Sequence, residues 1–358
     1  MPRSAALLLL LASCASPVPR VTWRCAVDPG SDALFNRPGE RWRGGDSICS
    51  VPLSKDSTLW LFGDTFVGRP GDPTRSGAVM IHNSLAIQHP PDLPEFYWRT
   101  VEGRPVDAIV PAGAGGFLWP LGGIREGPEL HLFFTQVAAT EQGQASSVTG
   151  NVLVSIENPD HPPGLWKASL VPVPAARPSP DGDLLFGSSV LFHDGFFYVF
   201  GVREDSTRRP IDRRALVART PSLPDFKLWK FLGKDGWGDD VKHARALFDE
   251  AAAEMSVTFL PATREFVATY TRLNVAPEIL VRRAPRPEGP YGFAQVVYRP
   301  PERSWNARYY TYASKAHPEL ALEDNELVIS YAASSQAFND LLKDLRLYWP
   351  RFIRARLD

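Results

Sequence analysis

The feature that most constrains the fold of this chain is a pattern of short apolar segments that recurs five times. In each repeat, a polar turn precedes an apolar segment, and a further apolar segment follows after a loop of variable length. The first of these segments align by inspection at 58–63, 129–134, 197–201, 265–270 and 326–331. They recur about every 60 to 75 residues, a spacing typical of four-stranded sheets with their loops. The repeat predicts an all-β protein.

The ends of the chain predict how these sheets are arranged. The first four repeats each end in an aromatic fourth strand, but the fifth runs out of chain at Asp358. Its outer strand can come from residues 21–25, and pairing the two chain ends would remove exposed sheet edges. We therefore predict that residues 21–358 form one five-bladed β-propeller with four-stranded antiparallel blades. A β-sandwich with a second domain is the alternative, and it leaves the repeat unexplained. The best helix candidate is 336–345.

The N-terminus predicts export. A short basic segment with Arg3 is followed by leucines at 7–11 and then by Leu-Ala-Ser-Cys, which resembles a bacterial lipobox. We expect residues 1–20 to be a lipoprotein signal peptide and anchor segment, with Cys14 lipidated. A plain signal peptide cut near Ala15 is the alternative. Because the residue after Cys14 is not Asp, resemblance to Gram-negative lipoproteins favours the outer membrane over the cytoplasmic membrane.

Composition limits the partners of the chain. The 39 Lys and Arg residues balance the 40 Asp and Glu residues, which gives no support to nucleic-acid binding. No Cys/His cluster has the spacing of metal ligands, so we predict no metal and no cofactor. An ion bound beneath His317 is the alternative. Cys25 and Cys49 are compatible with a disulfide or with two free thiols.

Two aspartates stand out at the ends of one predicted hairpin. Asp46 begins the first strand of the first repeat, and Asp64 ends the second strand, 18 positions later. The start of one strand and the end of its antiparallel partner lie at the same sheet edge, so the two carboxylates should meet. Paired carboxylates are what glycosidic bond cleavage requires. The alternative is that both are simple turn formers.

The same reasoning, applied to every blade, predicts which side chains surround the mouth of the ring. We expect Glu254 to be a third catalytic carboxylate; the alternative is that it caps a strand. The predicted substrate-binding residues are His82, Asn83, Trp119, Arg203, Glu204, Arg272, His317 and Glu319. Carboxylates and amides bind sugar hydroxyls, and tryptophan offers an apolar face to a sugar ring. The alternatives are a solvated loop at 203–205, a structural His317 and a Trp119 in the core.

Several motifs resemble a known family. The segments GDS at 45–47, LFGDTF at 61–66, HNSLA at 82–86 and KAHPEL at 315–320 look like the "domain of unknown function 4185" family. That family groups with five-bladed propeller glycosidases, and some members are endo-D-arabinanases. The resemblance implies that Asp46 and Asp64 are the catalytic pair.

The resemblance implies a glycoside hydrolase that cleaves a glycosidic bond, furanosidic and arabinan-like, in a polysaccharide, and the N-terminus adds the expectation that this enzyme is exported. The alternative from another class is a non-catalytic envelope lipoprotein that binds carbohydrate or a protein partner through the same mouth. A third hypothesis is a structural envelope protein whose mouth is plugged by a loop at 140–149.

Overall fold

The computed structural model describes residues 22–112, 115–140, 145–274 and 276–358. The predicted signal and anchor segment with Cys14 lies outside these residues. The first part of the described chain forms the following elements: β1 (Trp23–Val27), α1 (Pro29–Phe35), β2 (Trp42–Gly45), β3 (Cys49–Ser54), β4 (Ser57–Phe62), β5 (Thr65–Val67), β6 (Val79–Ile81), β7 (Ser84–Gln88), β8 (Glu95–Tyr97), β9 (Arg99–Val101) and β10 (Arg104–Val106).

The remainder is also built mainly from strands. The middle of the chain forms β11 (Phe117–Glu126), β12 (Glu129–Ala139), β13 (Ala145–Ile156), β14 (Ala168–Pro172), β15 (Asp183–His193), β16 (Phe196–Asp205), β17 (Asp212–Thr220), β18 (Lys230–Gly233) and β19 (Gly236–Gly238). The last part forms β20 (Ser256–Leu260), β21 (Glu265–Thr271), β22 (Ile279–Ala284), β23 (Gln295–Tyr298), α2 (Glu302–Trp305), β24 (Tyr309–Ala316), β25 (Glu326–Ser335), α3 (Phe338–Lys343) and β26 (Arg351–Leu357). The prediction of an all-β protein is confirmed, and α3 lies within the predicted helix.

The larger antiparallel sheets follow the repeat. Their strand orders are β3-β4-β7-β8 (sheet 1), β11-β12-β13-β14 (sheet 2), β15-β16-β17-β18-β19 (sheet 3), β20-β21-β22-β23 (sheet 4) and β24-β25-β26-β1 (sheet 5). Each aligned apolar segment lies in the second strand of its sheet, except that Gly63 of the first segment follows β4. The pairing of the chain ends is also confirmed, since Trp23 lies opposite Leu357. Sheet 3 departs from the expected four strands because Gly236, at φ 115°, turns the chain back into β19.

Alternation along the second strands explains how the sheets pack. In β12, Leu132 and Phe134 point into a cluster shared with sheet 1, whereas Phe133 between them points into a cluster shared with sheet 3. Successive side chains of a strand point to opposite faces, so one strand serves two interfaces. Phe200 and Val267 belong to the corresponding clusters between sheets 3 and 4 and between sheets 4 and 5.

The last interface joins sheet 5 back to sheet 1. Trp60 and Phe62 of β4 pack with Val328 of β25 and Phe352 of β26. Phe35 of α1 fills the same cluster, and its ring lies edge-on to Trp60 at a centroid distance of 4.9 Å. The apolar packing therefore runs from sheet to sheet and returns to its start.

The first strands of the sheets surround a central cavity of about 450 Å³. Lys315 lies at this cavity with only 2% of its surface exposed. Its Nζ donates hydrogen bonds to the main-chain carbonyl oxygens of Leu121 in sheet 2, Ser188 in sheet 3 and, at 3.1 Å, Met255 at the start of sheet 4. One ammonium group thus ties sheet 5 to three others.

β-Bulges supply two of these carbonyl groups. The register of β11 shifts between Pro120 and Gly122, and that of β15 shifts between Phe186 and Ser189, so Leu121 and Ser188 fall in the bulges. A bulge leaves its extra residue outside the ladder. The buried carbonyl oxygens there still need a donor, and Lys315 provides it.

Both described cysteines are free. Cys25 is partly buried in β1, and Cys49 is buried in β3. Burial raises the pKa of Cys25 to about 11, so this thiol stays protonated at neutral pH. Among the described residues, no helix is long and apolar enough to cross a membrane.

We expect Lys315→Met to lower the free energy of unfolding by about 2–3 kcal/mol, because it leaves buried carbonyl oxygens without a donor. Chemical denaturation monitored by tryptophan fluorescence measures the change. Lys234→Met, in the exposed turn between β18 and β19, is the matched control and should behave as wild type. Equal stability of the Lys315 variant and wild type would show that the ammonium is not needed.

Candidate active site

The β3–β4 hairpin brings Asp46 and Asp64 together. Asp46 precedes β3 and Asp64 follows β4, and the two ends are joined by main-chain hydrogen bonds. The N–H of Gly63 donates to the carbonyl of Asp46 at 2.8 Å, and the N–H of Asp46 donates to the carbonyl of Asp64 at 3.3 Å. A Cβ atom on Gly63 would lie 2.4 Å from Asp46 Oδ1, so only glycine fits beside this carboxylate.

Both carboxyl groups line a cavity of about 310 Å³ at one end of the ring of sheets. Every one of the five larger sheets, or a loop leading into it, contributes to the lining. The polar residues of the lining are Asp46, Ser47, Asp64, Trp119, Thr135, Asp183, Glu204, Arg213, Glu254 and Tyr312. Leu121, Val148, Leu185 and Ala253 add apolar walls. The cavity is therefore a polar pocket with several carboxyl groups and one guanidinium.

Asp46 is buried and fixed by two tyrosines. The hydroxyls of Tyr312 and Tyr348 both donate to its Oδ2, the second at 2.9 Å. Burial and the nearby Asp64 carboxylate raise the pKa of Asp46 well above its usual range, and the charge of Glu254 adds to this. The tyrosine hydrogen bonds oppose the rise because they favour the ionised form. On balance, burial and the neighbouring negative charges favour the neutral form of Asp46.

Local backbone strain accompanies this arrangement. Tyr348 has a φ of 64° and Ser47 a φ of 51°, in the left-handed region that side chains with a Cβ rarely occupy. A Cβ on Gly44 would lie 2.1 Å from the carbonyl oxygen of Tyr348, so glycine is required for this close approach. Strained positions that persist next to buried carboxyl groups are typical of functional sites.

Asp64 has a different set of partners. Trp119 Nε1 donates to its Oδ1 at 2.8 Å. Burial raises the pKa of Asp64, while the Trp119 hydrogen bond and the nearby His82 imidazole oppose the rise. His82 is itself held by Asp107, with Nδ1 3.3 Å from Oδ2, and its ring stacks on Phe117 at 3.7 Å. Burial lowers the pKa of His82, but Asp107 more than offsets this and the net pKa is raised.

Glu254 approaches the pair from the loop before β20. Ser47 Oγ, next to Asp46 in sequence, donates to Glu254 Oε1. The negative charge of Glu254 raises the pKa of both Asp46 and Asp64. The structure thus brings the three predicted catalytic carboxyl groups into one cluster, where the charges of Asp64 and Glu254 disfavour ionisation of Asp46.

Two predicted substrate-binding residues, Trp119 and Glu204, line the cavity. His82 lies behind Asp64, as described above. Asn83 is fully buried and structural: its Nδ2 donates to the carbonyls of Ile109 and Leu118, and its Oδ1 accepts from the N–H of Ile109. Its amide is therefore already occupied in holding a loop, and Asn83 does not line the carboxyl-bearing cavity.

The predicted arginines point away from the carboxyl cluster. Arg203 lines a separate surface pocket with Asp181 and Asp205, and Arg272 Nε lies 3.7 Å from Glu250 Oε2. Neither arginine lines the carboxyl-bearing cavity, so neither is placed to neutralise Asp46 or Asp64.

His317 and Glu319 lie at the opposite end of the ring. The prediction took them as the start of a first strand, but β24 ends at Ala316, so they follow that strand. Glu319 lines the central cavity of about 450 Å³. His317 is fully buried, with Nδ1 2.6 Å from Ser50 Oγ and Nε2 2.7 Å from Ser330 Oγ. The prediction that His317 and Glu319 belong to the same mouth as Asp46 is wrong.

His317 is not available to bind the ion that the sequence left as a possibility. Both ring nitrogens already have hydroxyl partners, and burial together with the charge of Lys315 lowers the pKa of His317 to about 3. Within the described segments, no group of three or more His, Cys, Asp or Glu residues could hold a metal ion.

The sequence prediction missed several residues of the cavity. Tyr312 escaped because the start of β24 was placed too late, and Tyr348 lies in the irregular segment after α3, which carries no periodic signal. Asp183 is the first residue of β15, and Arg213 is the second residue of β17. Both therefore lie at strand starts, like the residues that the sequence predicted at the mouth. A search of every strand start would have found both.

Fold and site together define an all-β, propeller-like protein with a carboxyl-rich cavity at one end. The comparisons place it more closely. Over residues 28–356 the chain matches the family described as "Domain of unknown function (DUF5005)". The chain belongs to the DUF5005 family. The proposed resemblance to the "domain of unknown function 4185" family is therefore wrong, and the arabinan-like specificity that it implied loses its basis.

One solved structure shows the same fold, and two others are similar at lower TM-scores. A candidate hydrolase from Bacteroides ovatus ATCC 8483 superposes with a TM-score of 0.72 at 18% identity, covering 93% of this chain and 90% of that chain. The GH43_1 enzyme from Xanthomonas citri complexed with xylotriose gives a TM-score of 0.48 at 15% identity, covering 92% and 93%. Exo-β-1,3-galactanase from Phanerochaete chrysosporium gives 0.46 at 11% identity, covering 88% and 63%. The comparison with curated proteins gives no match.

We expect Asp46→Asn to stabilise the protein at pH 7. Because the pKa of Asp46 is raised on folding, the folded state binds more protons than the unfolded state between the two pKa values. The stability of the wild type therefore falls as pH rises through that window, whereas the variant has no such loss. Thermal unfolding should show a higher melting temperature for the variant at pH 7, and the difference should shrink towards pH 4.

The control for this prediction is Asp56→Asn, in the exposed turn between β3 and β4, whose side chain is 75% exposed. It should change the melting temperature little at either pH. A melting temperature for Asp46→Asn that is equal to or below the wild-type value at pH 7 would contradict the inferred cost of this carboxyl group.

Proposed function

We propose that this protein is a glycoside hydrolase and that Asp46, Asp64 and Glu254 carry the cleavage. The observation that supports this is the convergence of these three carboxyl groups in one cavity, each with its own hydrogen-bond donor. Burial and the neighbouring charges raise the pKa of Asp46 and of Asp64, which favours a proton held within the cluster. An acid and a base side by side are what glycosidic bond hydrolysis needs.

The three groups have different roles in this proposal. Glu254 is the general acid: its proton passes to the glycosidic oxygen as the bond from that oxygen to the anomeric carbon breaks. Asp46 acts opposite, either as the base that takes a proton from the attacking water or as the nucleophile. The hydroxyls of Tyr312 and Tyr348 fix Asp46 in orientation. Asp64 tunes Asp46 through its charge, and Trp119 holds Asp64 in place.

The five larger sheets are, in this proposal, the blades of a five-bladed propeller. Their cyclic apolar packing and the contributions of all of them to both cavities support it. Blade 3 carries a fifth strand, and blade 5 is closed by β1 from the N-terminal part of the chain. The catalytic cavity then lies at one mouth of the ring, with Lys315 lying deeper, towards the second cavity.

The activity test is a hydrolysis screen of wild-type protein on plant, fungal and bacterial glycans and on aryl glycosides. We expect at least one substrate, and Asp46→Asn and Glu254→Gln should each lower kcat/KM on it by about 10²–10⁴-fold, the usual contribution of general acid–base catalysis. Asp56→Asn serves as control. Binding of a glycan that no condition hydrolyses would instead support the alternative of a carbohydrate-binding protein.

The pH profile of the same reaction tests the role of Asp46. The tyrosine hydrogen bonds hold its pKa down, so Tyr348→Phe should raise that pKa further. A base must be ionised, so the acidic limb of kcat/KM should move to higher pH in this variant. An unchanged acidic limb would contradict the proposal that Asp46 is the base.

We also propose that the protein is exported and anchored in the outer membrane by lipid on Cys14, with residues 1–20 as signal and anchor segment. The lipobox-like sequence supports this proposal. In a Gram-negative host, wild-type protein should fractionate with the outer membrane, and Cys14→Ser should move it to the soluble periplasmic fraction. Soluble wild-type protein would contradict the anchor.

A further inference from the structure

One side chain of the cavity has a hydrogen-bond donor that the protein leaves unused. Arg213, at the start of β17, lines the cavity and is only 8% exposed. Its Nε and Nη2 both lie 2.6 Å from Glu204 Oε2. Its Nη1 is buried and has no hydrogen-bond partner. Leaving a charged donor buried without a partner is costly, so a ligand that accepts from Nη1 would bind favourably.

The acceptors beside Arg213 are set by strand register. Glu204 of β16 lies directly opposite Arg213 of β17 and also directly opposite Asp183 of β15. Asp183, Glu204 and Arg213 therefore form a row across the inner strands of sheet 3, and all of them line the cavity. A guanidinium N–H next to carboxylate oxygens presents a donor and acceptors side by side.

This pattern fits neighbouring hydroxyl groups. A hydroxyl both accepts and donates, so one hydroxyl can accept from Arg213 Nη1 while its neighbour donates to a carboxylate of the row. The cavity carries Asp46, Asp64, Asp183, Glu204 and Glu254 against a single guanidinium that Glu204 already pairs. This negative charge would repel the carboxylate of an acidic sugar, whereas a neutral sugar would not be repelled.

We propose that the row Asp183–Glu204–Arg213 is a sugar-binding subsite that selects a neutral sugar ring through two neighbouring hydroxyls. It rests on the proposed function, because the row lies in the same cavity as the catalytic carboxyl groups. Arg213 is the specificity-determining residue, and it acts in binding rather than in the bond cleavage. Leu185 and Val148 supply the apolar wall against which the ring packs.

The informative variant is Arg213→Lys. It keeps a positive charge beside Glu204 but removes the free Nη1 donor. On the substrate found in the glycan screen, we expect KM to rise about 10- to 100-fold, the range for loss of one hydrogen bond to a charged group, with kcat unchanged. Arg214→Met is the matched control, because Arg214 is next in sequence, half-exposed and paired with Asp212. The KM of this variant should equal that of wild type.

Arg213→Met/Glu204→Gln is a second variant, which removes the pair without leaving an unpaired charge. It should show the same rise in KM with a melting temperature near that of Arg213→Lys. Wild-type KM in Arg213→Lys would overturn the subsite. A fall in kcat with unchanged KM in that variant would also overturn it, because it would place Arg213 in the chemical step.

Binding can be measured without hydrolysis. Saturation-transfer NMR with xylose, arabinose, galactose and glucuronic acid should show contacts for at least one neutral sugar with wild type. Those contacts should be lost in Arg213→Lys, and glucuronic acid should give none. Absence of neutral-sugar contacts with wild type, or preferential binding of glucuronic acid, would overturn the subsite.

The two proposals fail in different ways. Arg213-dependent sugar binding without hydrolysis of any glycan would keep the subsite and overturn the hydrolase. Hydrolysis that needs Asp46 but is unaffected by Arg213→Lys would keep the hydrolase and overturn the subsite.

Discussion

A single buried ammonium group holds the centre of this fold together. Lys315 reaches from sheet 5 to carbonyl oxygens of sheets 2 and 3 and of the loop that begins sheet 4. The carbonyls of sheets 2 and 3 are available because bulges in β11 and β15 take them out of the strand ladders. Burying a charge is costly unless it is fully hydrogen-bonded, and here the bulges and the lysine satisfy each other.

The same centre positions the site. Met255, one of the acceptors of Lys315, follows Glu254 directly, and Leu121 lies two residues after Trp119, the donor to Asp64. The carboxyl-bearing loops are therefore attached to main chain that the axial ammonium fixes. A rigid frame is needed because Asp46, Asp64 and Glu254 repel one another when ionised, and only a fixed frame keeps them close.

The polar side chains of the cavity fall into two groups. Asp46, Asp64 and Glu254 cluster between sheet 1 and the loop into sheet 4, whereas Asp183, Glu204 and Arg213 form a row on sheet 3. A ligand between the two groups would meet reactive carboxyl groups on one side and a donor–acceptor row on the other. Strand starts and ends of different sheets converge there, so residues far apart in sequence line one cavity.

The sequence by itself determined the strands, their grouping and the central pair. Alternation of apolar residues and the repeated turns fixed the second strand of each sheet, and the hairpin placed Asp46 beside Asp64, because both signals are local. The chain ends, too, could be paired from the missing strand of the last repeat.

Tertiary structure alone decided the rest. The register shift in β24, which carries Tyr312 towards Asp46 and Lys315 to the axis, leaves no local pattern, and the start of that strand was misplaced, which put His317 and Glu319 at the wrong end. Tyr348 reaches Asp46 from 302 positions away, through a segment without periodicity. Such contacts depend on how the sheets close around the axis. A local sequence pattern does not predict contacts between residues so far apart in the chain.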